Sequence, residues 1–284
     1  MTPKTAIITG AAQGIGRSIA LRLATKGFQI GIADLEQQRG KAGEVINEIK
    51  KIYATDSLSA KGPLLPPVFY PVDVSDKSSV VEMVDAIASK FDNHLDVMIN
   101  NAGIASISKL LDCTPEQLDK VMKINVGGVL NGIQAASEVF VKYNRNGSYE
   151  PYENGNKIVG KIINCCSIAG NEAFPILPLY SASKFAVKSL TQSAAKELAP
   201  LGITCNAYAP GIVLTKMWDH IDEEMHKVNG LPIGENLKKS IESIALKRGE
   251  TPEDISGLVA FLAGDESDYI TGQNISVDGG ICYN

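Results

Sequence analysis

From Thr5 onward, short runs of consecutive apolar residues alternate with longer stretches in which apolar residues recur every three or four positions. TAIITG (5–10) reads as a buried strand closed by glycine, GRSIALRLATKG (16–27) as a helix, and FQIGIAD (28–34) as a second strand. A helix over 36–53, a strand VFYPVDV (68–74), a helix over 77–91 and a strand LDVMINNAG (95–103) continue the rhythm. Beyond them the pattern predicts a helix over 115–142, a strand KIINCCS (161–167), a helix over 180–199 and a strand ITCNAYAPG (203–211). A helix over 252–263 and a closing strand, NISVDGG (274–280), complete it. Strands that alternate with amphipathic helices specify an α/β doubly wound fold, with a mostly parallel central sheet flanked by helices on both faces. A single domain over 1–284 fits this rhythm better than two.

Two stretches break the alternation, 54–67 and 144–157, both rich in Gly, Pro, Ser and Asn and both read as surface loops. The only long insertion after a strand's C-terminal end runs from Lys216 to Leu246. In an open parallel sheet that end is the ligand side, so 212–246 is a candidate lid.

Composition narrows the picture. A chain of 284 residues, 44% hydrophobic and 21% charged, has the make-up of a globular protein with a sizeable core. A net charge of −5 without a Lys/Arg-rich block gives no footprint for nucleic acid or an anionic membrane, which leaves a small molecule as the expected partner. The N-terminal stretch lacks a secretory signal pattern, no apolar run reaches the roughly 18 residues of a membrane span, and a cytoplasmic location is expected. Cys113, Cys165, Cys166, Cys205 and Cys282 show no metal-ligand spacing, so reduced, buried thiols and no metal are expected. The sequons at Asn146 and Asn274 then carry no glycan.

Between the first strand and helix stands a GxxxGxG spacing, Gly10, Gly14 and Gly16, with Gln13 and Ile15 inside it. Glycines let backbone N–H groups approach a pyrophosphate at a helix N-terminus; a plain turn would select the same residues. Asp34, 18 residues beyond Gly16, ends the second strand. A carboxylate there accepts from both adenosine ribose hydroxyls and repels a 2′-phosphate, which favours NAD over NADP; a helix cap is the bland alternative. Arg39 lies close in sequence, whereas Gln13 places no charge in the loop. Asp73-Val74 and Asn100-Asn101-Ala102-Gly103 end the third and fourth strands, Asp73 offering an acceptor to an adenine amino group, although turn chemistry also selects such residues.

In PLYSASKFAVKSL (178–190), Tyr180 and Lys184 stand four apart, one helical turn, on an otherwise small and apolar helix. A nearby ammonium, with the positive ring of an oxidised nicotinamide, stabilises a phenolate and lets tyrosine exchange a proton near neutral pH. Ser167, 13 residues earlier, is placed to hold the substrate oxygen, and Asn125 to steady a water behind Lys184. Alone, such a spacing is usually an amphipathic helix edge; here it follows a dinucleotide loop, an Asp-tipped strand and NNAG.

This set resembles the short-chain dehydrogenase/reductase family, and the likeness runs from Thr5 to Gly280. The resemblance implies a Rossmann fold and hydride transfer between a nicotinamide and a carbonyl or secondary alcohol. It implies Tyr180 as general acid/base, Lys184 as its pKa modulator and ribose ligand, Ser167 as stabiliser of the substrate oxygen, and Asn125 as support of the proton relay. Pro210, Gly211, Ile212 and Thr215 would border the nicotinamide, Ile212 and Thr215 at its carboxamide. By analogy it implies a homotetramer built on the helices around Asn125 and Tyr180.

The C-terminal third, with YAPGIVLTKMWDHIDEE and ALKRGETPEDISGLVAFLAG, is similar to the acetoin/diacetyl reductase branch, also called 2,3-butanediol dehydrogenases. There Met217 and Trp218 would begin the lid over a small substrate, core packing being the other reading of Trp218. Ile168 and Phe174 make an apolar wall, which favours ketones lacking a vicinal hydroxyl. A broad carbonyl reductase, a polyol dehydrogenase, a 3-ketoacyl reductase and a non-catalytic dinucleotide-binding regulator are the rival readings.

Overall fold

The computed structural model describes residues 3–55, 63–151 and 157–283. The central parts of the two expected loops, 56–62 and 152–156, lie outside the described residues. In chain order the main elements are β1 (Thr5–Thr9), α1 (Gly14–Thr25), β2 (Gln29–Asp34), α2 (Arg39–Tyr53), β3 (Val68–Pro71), α3 (Lys77–Lys90) and β4 (Val97–Asn100). There follow α4 (Pro115–Val121), α5 (Gly128–Val139), β5 (Gly160–Cys165), α6 (Pro178–Leu198) and β6 (Ile203–Pro210). The chain closes with α7 (Lys216–Asn229), α8 (Glu235–Ser243), α9 (Pro252–Ala263) and β7 (Asn274–Val277).

The strands form one sheet in the order β3-β2-β1-β4-β5-β6-β7. Every adjacent pair is parallel, so "mostly parallel" understates the sheet. Successive side chains on a strand point to opposite faces. Ile7 accordingly joins a core with Met83, Val84 and Ile87 of α3, Ile133 and Ala136 of α5 and Val187 of α6. Ala6 and Ile8 join the opposite core, with Ile19 and Leu23 of α1, Ile49 of α2 and Val259 and Leu262 of α9. Truncating a fully buried residue such as Ile7 to alanine removes contacts on one face only, at a cost of about 2–5 kcal/mol.

Strand order reverses between β1 and β4, and ligands bind at such a switch point, beyond the carboxyl ends of the strands. Register brings those ends level: Thr9 lies beside Ala33, Asn100 beside Asn164, Cys165 beside Tyr208, and Pro210 beside Val277.

The helix expected over 115–142 is not uniform. Thr114 caps α4 through a capping box with Gln117. The chain then widens to π-helical geometry at Met122–Gly127 and again at Phe140–Asn144. The helix packs tightly just beyond the first widening. A Cβ on Gly128 would come within 2.9 Å of Val74, and one on Gly132 within 1.9 Å of Asn100 Oδ1, so this helix lies directly on the ends of β3 and β4. The third strand also ends earlier than expected, at Pro71, and the Val72–Val74 segment turns into the cavity edge.

Candidate active site

A cavity of about 1400 Å³ opens along the carboxyl ends of the strands, beneath α7 and α8. Its volume exceeds the usual range for one small ligand and suits a dinucleotide with a small substrate beside it.

At one end lies the glycine loop. Gly10 and Gly14 have positive φ, 65° and 56°, where a side chain would be strained. Gln13 is the N-cap of α1 but makes no side-chain capping bond, so backbone N–H groups of the first turn face the cavity without a side-chain acceptor. Gly10, Gln13, Gly14 and Ile15 line the cavity. Gly16 does not: it is buried, and a Cβ there would stand 2.3 Å from Gly10 O. It lets α1 close on the loop from behind the cavity wall.

Asp34 lines the next stretch, its Oδ2 accepting from Ala12 N–H at 2.9 Å and its Oδ1 from Leu35 N–H at 2.9 Å. Each oxygen keeps lone-pair capacity for a ribose hydroxyl, so the capping role and the ribose role coexist. Arg39 is turned away, held by Glu36 and stacked 4.8 Å over Phe69. Asp73 and Val74 line the same side, Asp73 Oδ1 also accepting from Ser75 N–H.

Asn101, Ala102 and Gly103 form the middle of the floor. The Asn101 side chain is spent within the protein. Its amide donates to Thr9 O (2.9 Å) and Gly10 O (3.2 Å) and its oxygen accepts from Tyr208 O–H (2.9 Å), tying β1, β4 and β6 together. Asn125 stands behind Gly103 and off the cavity wall. It accepts from Ile104 N–H (2.9 Å) and donates to Ile104 O (2.9 Å) and Ser183 Oγ (3.0 Å). Both amide hydrogens are used, and one lone pair of Oδ1 remains for a water.

At the other end Ser167, Tyr180 and Lys184 converge on the cavity with Ile168 and Phe174 beside them. Lys184 is buried; its Nζ donates to Cys165 O at 2.8 Å and lies 5.5 Å from the centre of the Tyr180 ring. Ser167 lies beside the phenol at the cavity wall, its side-chain oxygen accepting from Ala169 N–H at 3.1 Å. The electrostatics differ from the sequence expectation. Burial raises the Tyr180 phenol, and Lys184 and Ser167 pull it back only in part, so within the protein alone its pKa stays above the ordinary value. For Lys184, burial works against the charge, yet Cys165, Tyr180 and Cys166 together hold the ammonium above its ordinary value. The lysine therefore stays cationic and the tyrosine protonated, an arrangement able to donate a proton to an oxygen held by Ser167.

Pro210, Gly211, Ile212 and Thr215 border this end, and α7 and α8, the segment expected as a lid, line it. Trp218 lines the cavity, which decides against core packing alone. Met217 lines the cavity as expected, and residues the motifs did not point to also line it: Ile221 and Met225 of α7, Leu237 and Ser240 of α8, and Ile281 near the C-terminus. The three-to-four spacing of Met217, Ile221 and Met225 was the available signal for the lid face. The insertion is a helical hairpin in which buried Asp222 accepts from Gly234 N–H and, at 3.1 Å, from Leu237 N–H, fixing α8 to α7.

Comparison with known proteins gives a consistent picture. A sequence family described as enoyl-(acyl carrier protein) reductase matches residues 10–282. The chain is 50% identical over 281 residues to L-2,3-butanediol dehydrogenase of Corynebacterium glutamicum, covering 99% of each chain. It is 46% identical to the (S)-acetoin-forming diacetyl reductase of Staphylococcus epidermidis, again over 99% of each. The crystal structure of NAD+-bound xylitol dehydrogenase superposes with a TM-score of 0.83 at 29% identity, covering 98% of each chain. Among the described residues no helix is long and apolar enough to cross a membrane.

Proposed function

Given that this chain belongs to the short-chain dehydrogenase/reductase family, we propose that it is an NADH-dependent reductase of small vicinal diketones and hydroxyketones of the diacetyl and acetoin type, and that it also catalyses the reverse oxidation. The observation that carries this reading is the convergence of Tyr180, Lys184 and Ser167 at the small, lid-covered end of a cavity whose other end is built for a dinucleotide. The identity to a butanediol dehydrogenase and a diacetyl reductase supports the substrate class.

The residues present fit the cofactor. The uncapped start of α1 suits the pyrophosphate, Asp34 the ribose hydroxyls, Asp73 and Val74 the adenine, and Pro210, Gly211, Ile212 and Thr215 the nicotinamide. Asp34 disfavours a 2′-phosphate and Arg39 is engaged elsewhere, so NADH is preferred over NADPH. When bound, the nicotinamide supplies the hydride for reduction and accepts it in oxidation.

The chain's own part is to orient one oxygen and move one proton. Ser167 holds the carbonyl oxygen against Tyr180 O–H, which gives its proton as negative charge develops on that oxygen. Lys184, fixed on Cys165 O, lowers the cost of the phenolate so formed and reaches toward the ribose. Asn125 supports the relay by locking Ile104 and Ser183 around the lysine. Met217, Trp218 and Ile221 exclude water from the reacting end.

The apolar wall of Ile168 and Phe174 favours a second reading, a general reductase of apolar monoketones. Initial rates with NADH on diacetyl, acetoin, an aliphatic monoketone and an aryl ketone separate the two. A lead of about tenfold or more in kcat/KM for diacetyl and acetoin, about 1.4 kcal/mol of transition-state preference, supports the first reading. A lead for the monoketones would replace it with the second.

The same reading includes a cytoplasmic homotetramer. Leu118 on α4, Leu130 on α5 and Phe185 on α6 are exposed on the helices around Asn125 and Tyr180, with Leu110 and Leu111 exposed just before α4, and support an interface there. Light scattering at micromolar concentration gives the mass.

A further inference from the structure

The segment that leads from β6 into the lid is clasped from behind by Glu250, with Val277 O of β7 sharing the Gly211 N–H at 3.0 Å. Glu250 donates its N–H to Ile212 O (2.9 Å), accepts from Leu214 N–H at its own carbonyl (2.8 Å), and accepts from Gly211 N–H at Oε2 (2.9 Å). Val213 and Glu250 form a parallel bridge outside the main sheet. Gly211, Ile212 and Leu214 line the cavity, whereas Glu250 does not.

The carboxyl sits in an unusual place. It is 6% exposed, and its second oxygen, Oε1, is buried with no protein partner. The charged groups facing it are Asp254 on α9, Asp278 just beyond β7 and Arg248 in the preceding loop. Both acids oppose its ionisation. Arg248 favours it, but its guanidinium is already bidentate with Asp254, at 2.6 and 2.8 Å. Asp278 packs directly on Gly211, where an added Cβ would come within 2.9 Å of its Cα and Cβ. Its own carboxylate accepts from Gly280 N–H and Cys282 N–H, at 2.9 and 3.1 Å. Gly211 is thus flanked by two acids, one committed to the C-terminal turn and one half-satisfied.

We propose that Glu250 is a positioning residue for the cofactor: acting through Gly211, its carboxyl sets the backbone from Gly211 to Thr215, and gain or loss of its proton changes how tightly the nicotinamide cofactor is held. The proposal rests on the reading above, in which this segment borders the nicotinamide. With the proton in place, Oε2 accepts from Gly211 N–H and no further buried charge is added beside Asp278. Without it, a carboxylate with one unpaired oxygen is held against Asp254 and Asp278, and the strain is relieved by letting water in at Gly211. Burial, reinforced by the two acids, pushes the group up to about 8, within the range of ordinary assays. Cofactor covering the segment deepens that burial, so the bound state holds the proton more strongly and affinity falls as pH rises past 8.

The test uses NADH itself, in a Tyr180→Phe background that removes both turnover and the phenol's titration. Dissociation constants are measured from pH 6.5 to 9.5 with and without Glu250→Gln, which keeps an acceptor for Gly211 N–H and cannot ionise. The expected result is a three- to tenfold weakening across this range with Glu250 present and a flat profile with Glu250→Gln. Identical profiles in the two proteins, or a flat profile in both, overturn the proposal. Absence of NADH binding at every pH overturns the cofactor reading instead, so the two failures are distinguishable. Should Glu250→Gln fail to fold, calorimetry of NADH binding to Tyr180→Phe at pH 8, in two buffers of different ionisation enthalpy, decides the matter. Net uptake of a fraction of a proton supports the proposal, and zero uptake overturns it.

Discussion

The two long sides of the cavity are built on opposite principles. On the floor, at the strand ends, nearly every polar side chain is tied to the protein before any ligand arrives: Asn101 to Thr9 and Gly10, Asn125 to Ile104 and Ser183, Lys184 to Cys165 O. On the lid, Met217, Trp218, Ile221, Met225 and Leu237 touch by shape alone beside the polar Lys216, Asp219, Ser240 and Ser243, and Leu214 and Met217 are more than 40% exposed. A pre-bonded floor fixes reacting atoms without reorganisation, as catalysis requires. The apolar face of a clamped hairpin discriminates by fit, which is worth less per contact and is easier to alter.

Substitutions on the two sides should therefore differ in size and kind. The largest effect is expected for Lys184→Met: kcat/KM for diacetyl reduction falls about 10³-fold, about 4 kcal/mol, because the phenolate loses its ammonium. A loss below tenfold in steady-state assays would detach Lys184 from the chemistry. Next comes Asp34→Asn, which keeps an acceptor for Ala12 N–H but removes the charge. The ratio of kcat/KM for NADPH to that for NADH should rise by about 10- to 100-fold, and an unchanged ratio would show that Asp34 serves only the glycine loop. On the lid, Trp218→Ala should cost about tenfold in kcat/KM for diacetyl while NADH affinity stays within about twofold. An equal loss in both would erase the division between floor and lid.

The smallest effect concerns stability. The folded chain keeps the Glu250 proton to about pH 8, against 4.5 for an ordinary glutamate. Its contribution is complete below 4.5 and is lost as pH climbs to 8. Relative to Glu250→Gln, the Tm of the natural chain should drop by a few degrees, roughly, between pH 5 and 8. A difference in Tm that stays constant over that range would place the group in contact with water.

How much of this was legible in the sequence follows the same division. The floor was legible because backbone chemistry there demands particular residue types: glycine at positive φ in Gly10 and Gly14, and Asp34 at a strand end beside the loop. Gly16 and Asn125 were legible as part of the pattern but not as to place, since only packing shows them behind Gly10 and Gly103. The π-helical turn at Met122–Gly127 was illegible too, since it precedes Gly128 and Gly132, whose tight packing on Val74 and Asn100 no local spacing reports. The Tyr180 balance also depends on burial, which no local spacing reports; four residues set the distance to Lys184 but not the amount of protein around the phenol. Glu250 lies within ALKRGETPEDISGLVAFLAG, but nothing in that stretch points to its role. Its role emerges from meeting Gly211, 39 positions away, in a buried place.

The pH dependence of turnover follows from that balance. Oxidation of an alcohol needs the phenolate, and with the phenol held above its ordinary value the rate should climb through the alkaline range, whereas reduction draws on the phenol and should be flat near neutrality. Tyr180 is the link between all these arguments, so the decisive measurement pairs turnover with binding in Tyr180→Phe. The account predicts that diacetyl reduction falls by at least about 10³-fold while the NADH dissociation constant at pH 7 stays within about twofold of the natural chain. Substantial reduction by this variant, with NADH bound normally, would contradict the assignment of Tyr180 as the proton donor.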